Sequence, residues 1–442
     1  MPHRRLASNG RAAGRAAGIA VVAVATLLAS VAPTAAARPL TRTISPVAVT
    51  TATGSVVAFG DGPALGSPTS VPATARVTAI AATRSGHGYW IADTAGGVYA
   101  YGDATFAGSV TAALAAPVVD LAPTPSGQGY WLVAADGGVF AFGDATFVGS
   151  AAGLARLPAS GIAATPTGRG YWVVTVDGGV FAFGDATFVG SAAGLSSRPV
   201  VGIAATPAGS GYWLAAADGG VFAFGDAAMY GSAAGYSTSV VGITARPDGA
   251  GYWLAAADGG VFAFGGAPFL GAVGSPPGPI AAISASPTGR GYSVLVGPPG
   301  TVPAARALTA PPVPAGSGTG RRVVYSNSAQ RLWLIETDGV VYDSYRVSGR
   351  RGYPAPGTYA VWTRMRHGRS GRLDLPYFVG FAHGRTTSVG FHGIPLNPNG
   401  SPIQSDAQLG VPLSHGCVRQ NQDDAAEMWA WAPLGTTVVV LP

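Results

Sequence analysis

The sequence has one cysteine, no lysine and few charged residues. A single cysteine, Cys417, excludes a disulfide within the chain, although exported proteins often contain them. All 26 basic side chains are arginines, which we attribute to a GC-rich genome. Charged residues are 10% of the 442, whereas 67 residues are glycine and 35 are proline. This composition is typical of an all-β, loop-rich architecture, and at this length two or more domains are expected.

The formal net charge of +6 is uneven along the chain. Residues 1–37 carry four arginines and no acid, and residues 38–320 carry 10 arginines against 12 aspartates. Residues 321–442 carry 12 arginines against eight acids, an excess that favours an anionic substrate. That excess is too small and too scattered to indicate nucleic-acid binding.

The first 37 residues predict an export signal. A stretch with four arginines precedes an apolar run over residues 16–32, and Ala35-Ala36-Ala37 fits the small-residue pattern at which such signals are cleaved. An uncleaved membrane anchor is the alternative, since about 17 apolar residues are near the lower limit for a span. We expect cleavage, with a linker over residues 38–53.

A repeat of 40 or 41 residues dominates residues 54–302. A Gly-Tyr-Trp signature recurs, and its first five copies are each followed by a Gly-Gly-Val-aromatic-Ala-aromatic-Gly run. Self-similarity at such a period is typical of propellers and solenoids. The tyrosines of the signature are Tyr89, Tyr130, Tyr171, Tyr212, Tyr252 and, in a degenerate copy, Tyr292.

A single unit shows the expected strands. Residues 212–216 are an apolar run, residues 218–220 (Asp-Gly-Gly) supply a tight turn, and residues 221–224 return as a second strand. Two further short strands are expected at residues 229–231 and 240–243. Four strands in about 41 residues predict one blade of a β-propeller.

The two ends of the array are complementary. The array opens with half a unit at residues 56–61 and closes with the other half at residues 292–296. Joining the halves completes a sixth blade and hides both strand edges. We therefore predict a ring of about six blades, with an open β-solenoid as the alternative.

The recurring side chains of the array are first interpreted as structural. We expect the Tyr-Trp pairs to pack the blades and not to line a ligand site. One aspartate recurs per unit without the clustered carboxylates of a calcium loop, so it is expected to form a turn. These aspartates are Asp103, Asp144, Asp185 and Asp226.

Residues 303–320 are rich in proline, alanine and glycine and predict a semi-rigid linker. Beyond them, residues 321–442 predict a separate, mainly β domain with one helix, and Asp338-Gly339 indicates a hairpin. The expected strands are residues 322–326, 332–337, 340–347, 358–363, 377–381, 388–392 and 436–441.

The helix is predicted shortly before the end of the chain. Asn421 with Asp424 three residues later indicates an N-cap, and acids in the first turn suit the helix dipole. Pro433 and Gly435 are expected to end the helix. Its apolar face is predicted to comprise Ala425, Met428, Trp429 and Ala432.

The segment Ser414-His415-Gly416-Cys417-Val418-Arg419, with His392-Gly393 upstream, carries a specific signal. Together the two motifs resemble the signature of the L,D-transpeptidase catalytic domain, the YkuD-type fold. Residues 331–334, 347–350 and 354–361 resemble further parts of that family. The resemblance implies a β-sandwich-like catalytic domain with one helix, and it leaves the repeats unexplained.

The chemistry of these residues agrees with the resemblance. A thiol becomes a useful nucleophile when a histidine pairs with it or when local dipoles stabilise the thiolate. Cys417 could instead be a buried structural thiol, or a zinc ligand. The spacing of His392, His415 and Cys417 is not that of the usual zinc motifs, so we expect no metal and no cofactor.

The resemblance implies roles for four of the motif residues. Cys417 is the nucleophile, His392 is the base, and the carbonyl of Gly393 orients that base. His415 lines the site and is the alternative base. Residues 395–409 form a longer insert than in compact family members, which leaves the loop over the substrate undefined.

The remaining motif residues support the reaction. Gly416 allows the backbone to approach the reacting carbonyl, and the amides around the cysteine would stabilise an oxyanion. Ser414 supports the loop, and Arg419 either orders it or meets a substrate carboxylate. His383 is expected in a surface turn, and His367 in a solvated basic loop.

The implied activity is transpeptidation of peptidoglycan, with a cysteine thioester to a tetrapeptide stem, release of D-Ala and 3→3 cross-links. Water as acceptor would give an L,D-carboxypeptidase, and a protein amine would give a wall-anchoring enzyme. The rival hypothesis is a non-catalytic surface-binding propeller protein. The resemblance also implies export to the wall or outer face of a bacterium, and the repeats could bind wall polymer or a protein.

Overall fold

The structure is a computed structural model, and it does not describe every residue. The predicted signal at residues 1–37 lies outside the described part, as do most of residues 38–53 and residues 303–310. No helix in the described part has the length and apolar content that crossing a bilayer requires. The described residues are 47–51, 54–72, 75–196, 198–236, 239–298, 311, 313–337, 339, 341–384 and 388–442.

The repeat array folds into small antiparallel sheets, five of which have three strands within the described residues. In each of these sheets the strand with the Tyr-Trp pair lies in the middle. The strands are β1 (Val47–Thr51) and β2 (Gly54–Phe59); β3 (Val77–Ala82), β4 (Gly88–Asp93) and β5 (Val98–Gly102); β6 (Val118–Pro123), β7 (Gly129–Ala134) and β8 (Val139–Gly143); β9 (Ala159–Ala164), β10 (Gly170–Thr175) and β11 (Val180–Gly184); β12 (Val200–Ala205), β13 (Gly211–Ala216) and β14 (Val221–Gly225); β15 (Val240–Ala245), β16 (Gly251–Ala256) and β17 (Val261–Gly265); and β18 (Ile280–Ala285) and β19 (Tyr292–Val296).

The array closes on itself through its two half units. Strand β2 pairs antiparallel with β19, so that Ser55 lies opposite Val296 and Phe59 opposite Tyr292. With β1 and β18 they form a sixth sheet, in the order β1-β2-β19-β18. The first strands of successive units neighbour one another, and β18 neighbours β3. The predicted propeller-like ring of six blades is therefore confirmed, and the open solenoid is wrong.

The prediction of four strands per unit is wrong. Residues 229–231, expected to form a strand, are not paired in a ladder. Instead the hydroxyl of Tyr252 donates to the carbonyl of Gly231 at 2.5 Å and accepts from its N–H at 3.1 Å. The backbone groups of this segment are thus used by the tyrosine of the next blade, which leaves three strands in each of the five sheets that a single unit forms.

The Tyr-Trp pairs pack the blades, as predicted. Trp213 and Tyr212 are 1% and 0% exposed, and the other pairs are buried in the same way. The indole N–H of Trp213 donates to the carbonyl of Ala228, and the hydroxyl of Tyr212 donates to Gly190 in the preceding blade. Buried tyrosine and tryptophan thus keep partners for their polar atoms while joining adjacent blades.

The recurring aspartates stabilise turns, as predicted. The hydroxyl of Thr83 donates to the carboxylate of Asp103 at 2.8 Å. The same bond recurs in later units, from Thr124 to Asp144 and from Thr165 to Asp185. Each aspartate follows the third strand of its unit and holds the turn between the first two strands.

The C-terminal region has two sheets packed around one core. One sheet has the order β22-β21-β20-β28-β23, and the other has the order β24-β25-β26-β27. The elements are β20 (Arg322–Ser326), β21 (Arg331–Ile335), β22 (Val341–Arg346), β23 (Gly357–Ala360), β24 (Thr363–Ser370), β25 (Leu373–His383), β26 (Ser388–Gly393), a 3₁₀ turn (Asp406–Gln408), β27 (Val418–Gln420), helix α1 (Gln422–Trp431) and β28 (Thr437–Leu441). Two sheets and one helix agree with the predicted β-sandwich-like domain.

Helix α1 begins where it was predicted. The side chain of Asn421 accepts a hydrogen bond from the backbone N–H of Asp424 at 2.9 Å. Ala425, Met428 and Ala432 are buried as expected. Trp429 is partly buried and packs against the core, as predicted, whereas the more deeply buried Trp431 was not predicted to lie on this face.

One prediction about a histidine in this region is wrong. His367 lies on strand β24, where it is opposite Pro376 of β25, and not in a loop. Its exposed ring lies 3.0 Å from the carboxylate of Asp374. His383 is exposed, as predicted; it is the last residue of β25, and its ring stacks on Trp362 with centroids 4.5 Å apart. Strand β24 is mostly exposed and carries arginines at positions 364, 366 and 369, so its sequence lacks the alternating apolar residues that indicate a strand.

We expect Trp213→Ala in the full chain to lower the free energy of unfolding by about 3–5 kcal/mol, because it leaves a cavity between two blades. Phe147→Ala is the matched control, since that ring is 57% exposed. The control should change stability by no more than about 0.5 kcal/mol. Denaturant unfolding checks both variants, and equal effects would contradict the packing role.

Candidate active site

The two sequence motifs meet because β26 and β27 pair in parallel. Residue His392 lies opposite Arg419, and Gly393 lies opposite Gln420. Cys417 directly precedes β27, and so it lies at the start of a strand adjacent to the histidine strand. Strand β27 was not predicted from the sequence, although it brings the motifs together.

The imidazole of His392 is buried, with 2% of the residue exposed. Its Nδ1 lies 2.6 Å from the carbonyl oxygen of Gly393. A carbonyl can only accept, so Nδ1 carries the proton and Nε2 keeps its lone pair. Burial lowers the pKa of His392 to about 4; the Gly393 carbonyl raises it, and the charge of Arg419 lowers it further. The ring is therefore neutral at pH 7.

The thiol of Cys417 is half-buried and lies 3.7 Å from the carbonyl of Ser388 on β26. Burial raises the pKa of Cys417 above its ordinary value, while a hydrogen bond to the backbone of Gly390 and the charge of Arg419 lower it. In the part of the chain that the structure describes, no hydrogen bond joins this thiol to the ring of His392. The pair is therefore a neutral thiol and a neutral imidazole.

Arg419 is held by two partners. Its guanidinium donates to the side-chain carbonyl of Gln404 at 2.9 Å. Its backbone exchanges two hydrogen bonds with Ser348, at 2.8 and 2.9 Å. Gln404 belongs to the insert at residues 395–409, so Arg419 orders the loop that the sequence left undefined.

The loop before Cys417 is tied by Ser414. The hydroxyl of Ser414 donates to the carbonyl of Cys417 and accepts from the N–H of Gly416 at 3.3 Å. His415 is exposed, and its carbonyl accepts from the guanidinium of Arg350 at 3.4 Å. These bonds close a short turn directly before the thiol.

The two glycines of the motifs differ in how strictly they are required. A Cβ on Gly393 would lie 2.1 Å from the side-chain oxygen of Gln422, a collision with the first turn of α1. A Cβ on Gly416 would meet only the ring of Tyr353, at 3.5 Å, which is an ordinary contact. A side chain at position 393 would therefore displace the end of Gln422, which is hydrogen-bonded to Ile394, whereas free space over residue 416 is left for another molecule.

A cavity of about 1070 Å³ opens over the thiol. Six of the seven predicted site residues line it, and Gly393 lies behind the imidazole. Within the described residues, its lining includes four arginines and no aspartate or glutamate. Guanidinium groups around a concave site attract and orient carboxylates. The arginines are Arg350, Arg351, Arg369 and Arg419.

Sequence reasoning missed three residues that support the site. Gln404 and Ser348 hold Arg419, and the side-chain amide of Gln422 donates to the carbonyl of Ile394 at 2.7 Å. Gln404 and Gln422 lie outside the motifs, and Ser348 lies in the family-like segment 347–350 but was given no role there. Only the contacts of these uncharged residues in the fold show what they do. In the described residues, no group of three or more His, Cys, Asp and Glu side chains is arranged to hold a metal ion.

We expect the alkylation of Cys417 by iodoacetamide to be slow at pH 7 and to keep rising above pH 9. The reactive species is the thiolate, and burial moves its formation to higher pH. Intact-mass analysis over a pH series gives the rate, with Cys417→Ser as the control without adduct. A plateau already reached at neutral pH would contradict the raised pKa.

The comparisons with known proteins agree with the sequence and the fold. Residues 320–440 match the model of the L,D-transpeptidase catalytic domain, YkuD. A comparison with curated proteins found no match.

Several solved structures are similar to parts of the chain. An L,D-transpeptidase from Xylanimonas cellulosilytica is 23% identical over 30% of this chain and 64% of its own, with a TM-score of 0.24. The catalytic domain of an E. faecium L,D-transpeptidase is 20% identical over 28% of this chain and 100% of its own, with a TM-score of 0.23. A β-propeller domain from Myceliophteria thermophila is 13% identical over 55% of this chain and 93% of its own, with a TM-score of 0.38.

The chain spans 54% and 64% of the first two solved structures that it matches. Because all of the TM-scores are below 0.5, the assignment rests on the family model and the two motifs. Residues 320–440 form a YkuD-type L,D-transpeptidase catalytic domain.

Proposed function

We propose that the protein is a peptidoglycan L,D-transpeptidase that uses Cys417 as its nucleophile. The observation that carries this proposal is the meeting of Cys417 and His392 on one cavity wall, within a domain of the L,D-transpeptidase type. The substrate is a tetrapeptide stem, and the bond attacked is the L,D-amide before its terminal D-Ala. The chemistry needs no metal and no cofactor.

In the first step, the sulfur of Cys417 attacks the carbonyl carbon of the L,D-amide while Nε2 of His392 takes the thiol proton. The oxyanion is stabilised by backbone amides beside the cysteine. The tetrahedral intermediate then collapses, the carbon–nitrogen bond breaks, and the imidazolium returns its proton to the leaving amine. D-Ala departs, and the stem remains as a thioester.

In the second step, an amine of a neighbouring stem attacks the thioester carbonyl. The side-chain amine of diaminopimelate is the acceptor that we propose. His392 accepts its proton and passes it to the sulfur as the carbon–sulfur bond breaks. The products are a 3→3 cross-link and the free thiol. Water in place of the amine gives carboxypeptidase activity, and a protein amine gives anchoring to the wall.

The neutral thiol and imidazole favour general-base catalysis over a preformed ion pair. A base with a pKa of about 4 stays unprotonated down to mildly acidic pH, so it can accept the thiol proton there. The half-buried thiol of Cys417 gives up its proton to His392 only as the sulfur attacks the substrate carbonyl. Solvent is thus not needed to activate the nucleophile.

The charge of the cavity supports an anionic stem. Four guanidinium groups and no carboxylate line it within the described residues. Three of them, Arg350, Arg351 and Arg369, are exposed and therefore available to a substrate. Stem peptides carry free carboxylates, which such groups bind.

The site also bears on the rival hypothesis of a non-catalytic surface protein. A domain kept only for docking has no need for a histidine buried at a pKa of about 4 beside a half-buried thiol. We propose that the enzyme is exported and acts at the cell wall, and that the repeat array binds wall polymer or a protein there.

Incubation of the full chain with a carbapenem tests the nucleophile. We expect intact-mass analysis to show one covalent adduct on Cys417, and Cys417→Ala to form none while keeping its fold. The same variant should release no D-Ala from tetrapeptide stems, because no other group supplies the nucleophile. Turnover by Cys417→Ala near the wild-type rate would contradict the proposal.

The base is tested by comparing two histidine variants. We expect His392→Ala to slow acylation by about a hundredfold or more, the usual effect of losing a general base. His415→Ala should slow it less, since this exposed residue is not oriented by a carbonyl. Rates of carbapenem adduct formation give the comparison, and the reverse order would exchange the two roles.

A further inference from the structure

The repeat array and the catalytic domain meet at the start of helix α1. Residues 44–442 form one compact unit. The guanidinium of Arg198, just before β12 of the array, lies 3.1 Å from the carboxylate of Asp424 in the first turn of α1. The two side chains are 30% and 7% exposed. The sequence predicted two separate domains joined by a linker, and it gave no indication of this contact.

The array supplies a cation to an acidic patch on the catalytic domain. Burial raises the pKa of Asp424 to about 7, Asp343 and Glu427 raise it as well, and the charge of Arg198 lowers it. Asp423 is also close to Arg198 and is exposed. Arg198 therefore complements a site whose other charged neighbours are acids.

A second arginine of the array acts near the other end of α1. Arg76, just before β3, is half-buried and interacts with Glu336 of the catalytic domain. Glu336 accepts a hydrogen bond at 2.6 Å from the indole of Trp431, the last residue of α1. Arg76 lies one residue before β3 and Arg198 lies two residues before β12, so the starts of two first strands of the ring lie near the two ends of the helix.

Helix α1 in turn is attached to both strands of the active site. It begins two residues after β27, the strand that follows Cys417. In its first turn, Gln422 donates to the carbonyl of Ile394, which follows the His392 strand, and packs against Gly393. Movement of this turn would therefore shift the thiol and the imidazole relative to each other.

We propose that Arg198 is a positioning residue through which the repeat array fixes helix α1, and with it the spacing of Cys417 and His392. The array is then part of the catalytic apparatus as well as a binding module. A test of this coupling that measures acylation rests on the proposed function. A test that measures the movement of helix α1 does not depend on that function.

Carbapenem acylation of full-chain variants is the first test. We expect Arg198→Ala to slow the acylation rate constant by about tenfold, because small displacements of reacting groups lower rates strongly. The carbapenem concentration that gives half the maximal rate should change little, and Arg198→Lys should recover part of the loss. Arg169→Ala, an exposed arginine on a turn of the array, is the matched control and should react as the wild type does.

The pair is isolated by a double-mutant cycle with Asp424→Asn. If Arg198 acts through Asp424, the double variant should be no slower than the slower single variant. Additive losses would mean that Arg198 acts elsewhere, and a wild-type rate for Arg198→Ala would overturn the proposal.

Hydrogen exchange separates this proposal from the proposed function. We expect the backbone amides of residues 417–424 to exchange faster in Arg198→Ala and at the wild-type rate in Arg169→Ala. Unchanged exchange in Arg198→Ala would overturn the positioning role, whatever the acylation result. A wild-type chain that forms no adduct would instead refute the proposed function, and the exchange data would still decide the role of Arg198.

Discussion

The parallel pairing of β26 and β27 is the constraint on which the active site depends. It joins a histidine and a cysteine that are 25 residues apart in sequence, and it places Arg419 directly opposite His392. The pairing leaves no room at Gly393 for a side chain, because Gln422 occupies that space. Burial of both groups keeps the imidazole and the thiol neutral. The resting site therefore still holds the thiol proton, which can be transferred to His392 during the reaction.

Much of this arrangement could be predicted from the sequence, because a short motif indicates the chemistry of the residues within it. The repeat period and the split unit at its ends predicted a closed ring, and Asn421 predicted the start of α1. The number of strands per blade was not predictable in the same way. Residues 229–231 look like a strand, but their backbone groups bond to Tyr252 of the next blade, a tertiary contact that no local pattern contains. The same limit applies to Gln404 and Gln422, whose importance comes only from what they touch.

The charge distribution is not apparent from the net charge alone. Within the described residues, four arginines and no aspartate or glutamate line the cavity, whereas Asp343, Asp423, Asp424 and Glu427 lie in or beside α1 near Arg198. The cavity thus suits an anionic peptide, and the acids at α1 suit an arginine of the repeat array. A domain of modest net charge can in this way attract its substrate and still contact its own repeats.

The closure of the ring determines how the molecule would respond to a pulling force. The chain enters the split sheet at Val47 of β1, which lies opposite Ala58 near the end of β2, and it leaves at Val296 of β19, which lies opposite Ser55 near the start of β2. The two points are therefore at opposite ends of the sheet. Tension between them would act along the strands and load their hydrogen bonds together, in shear, and not one after another.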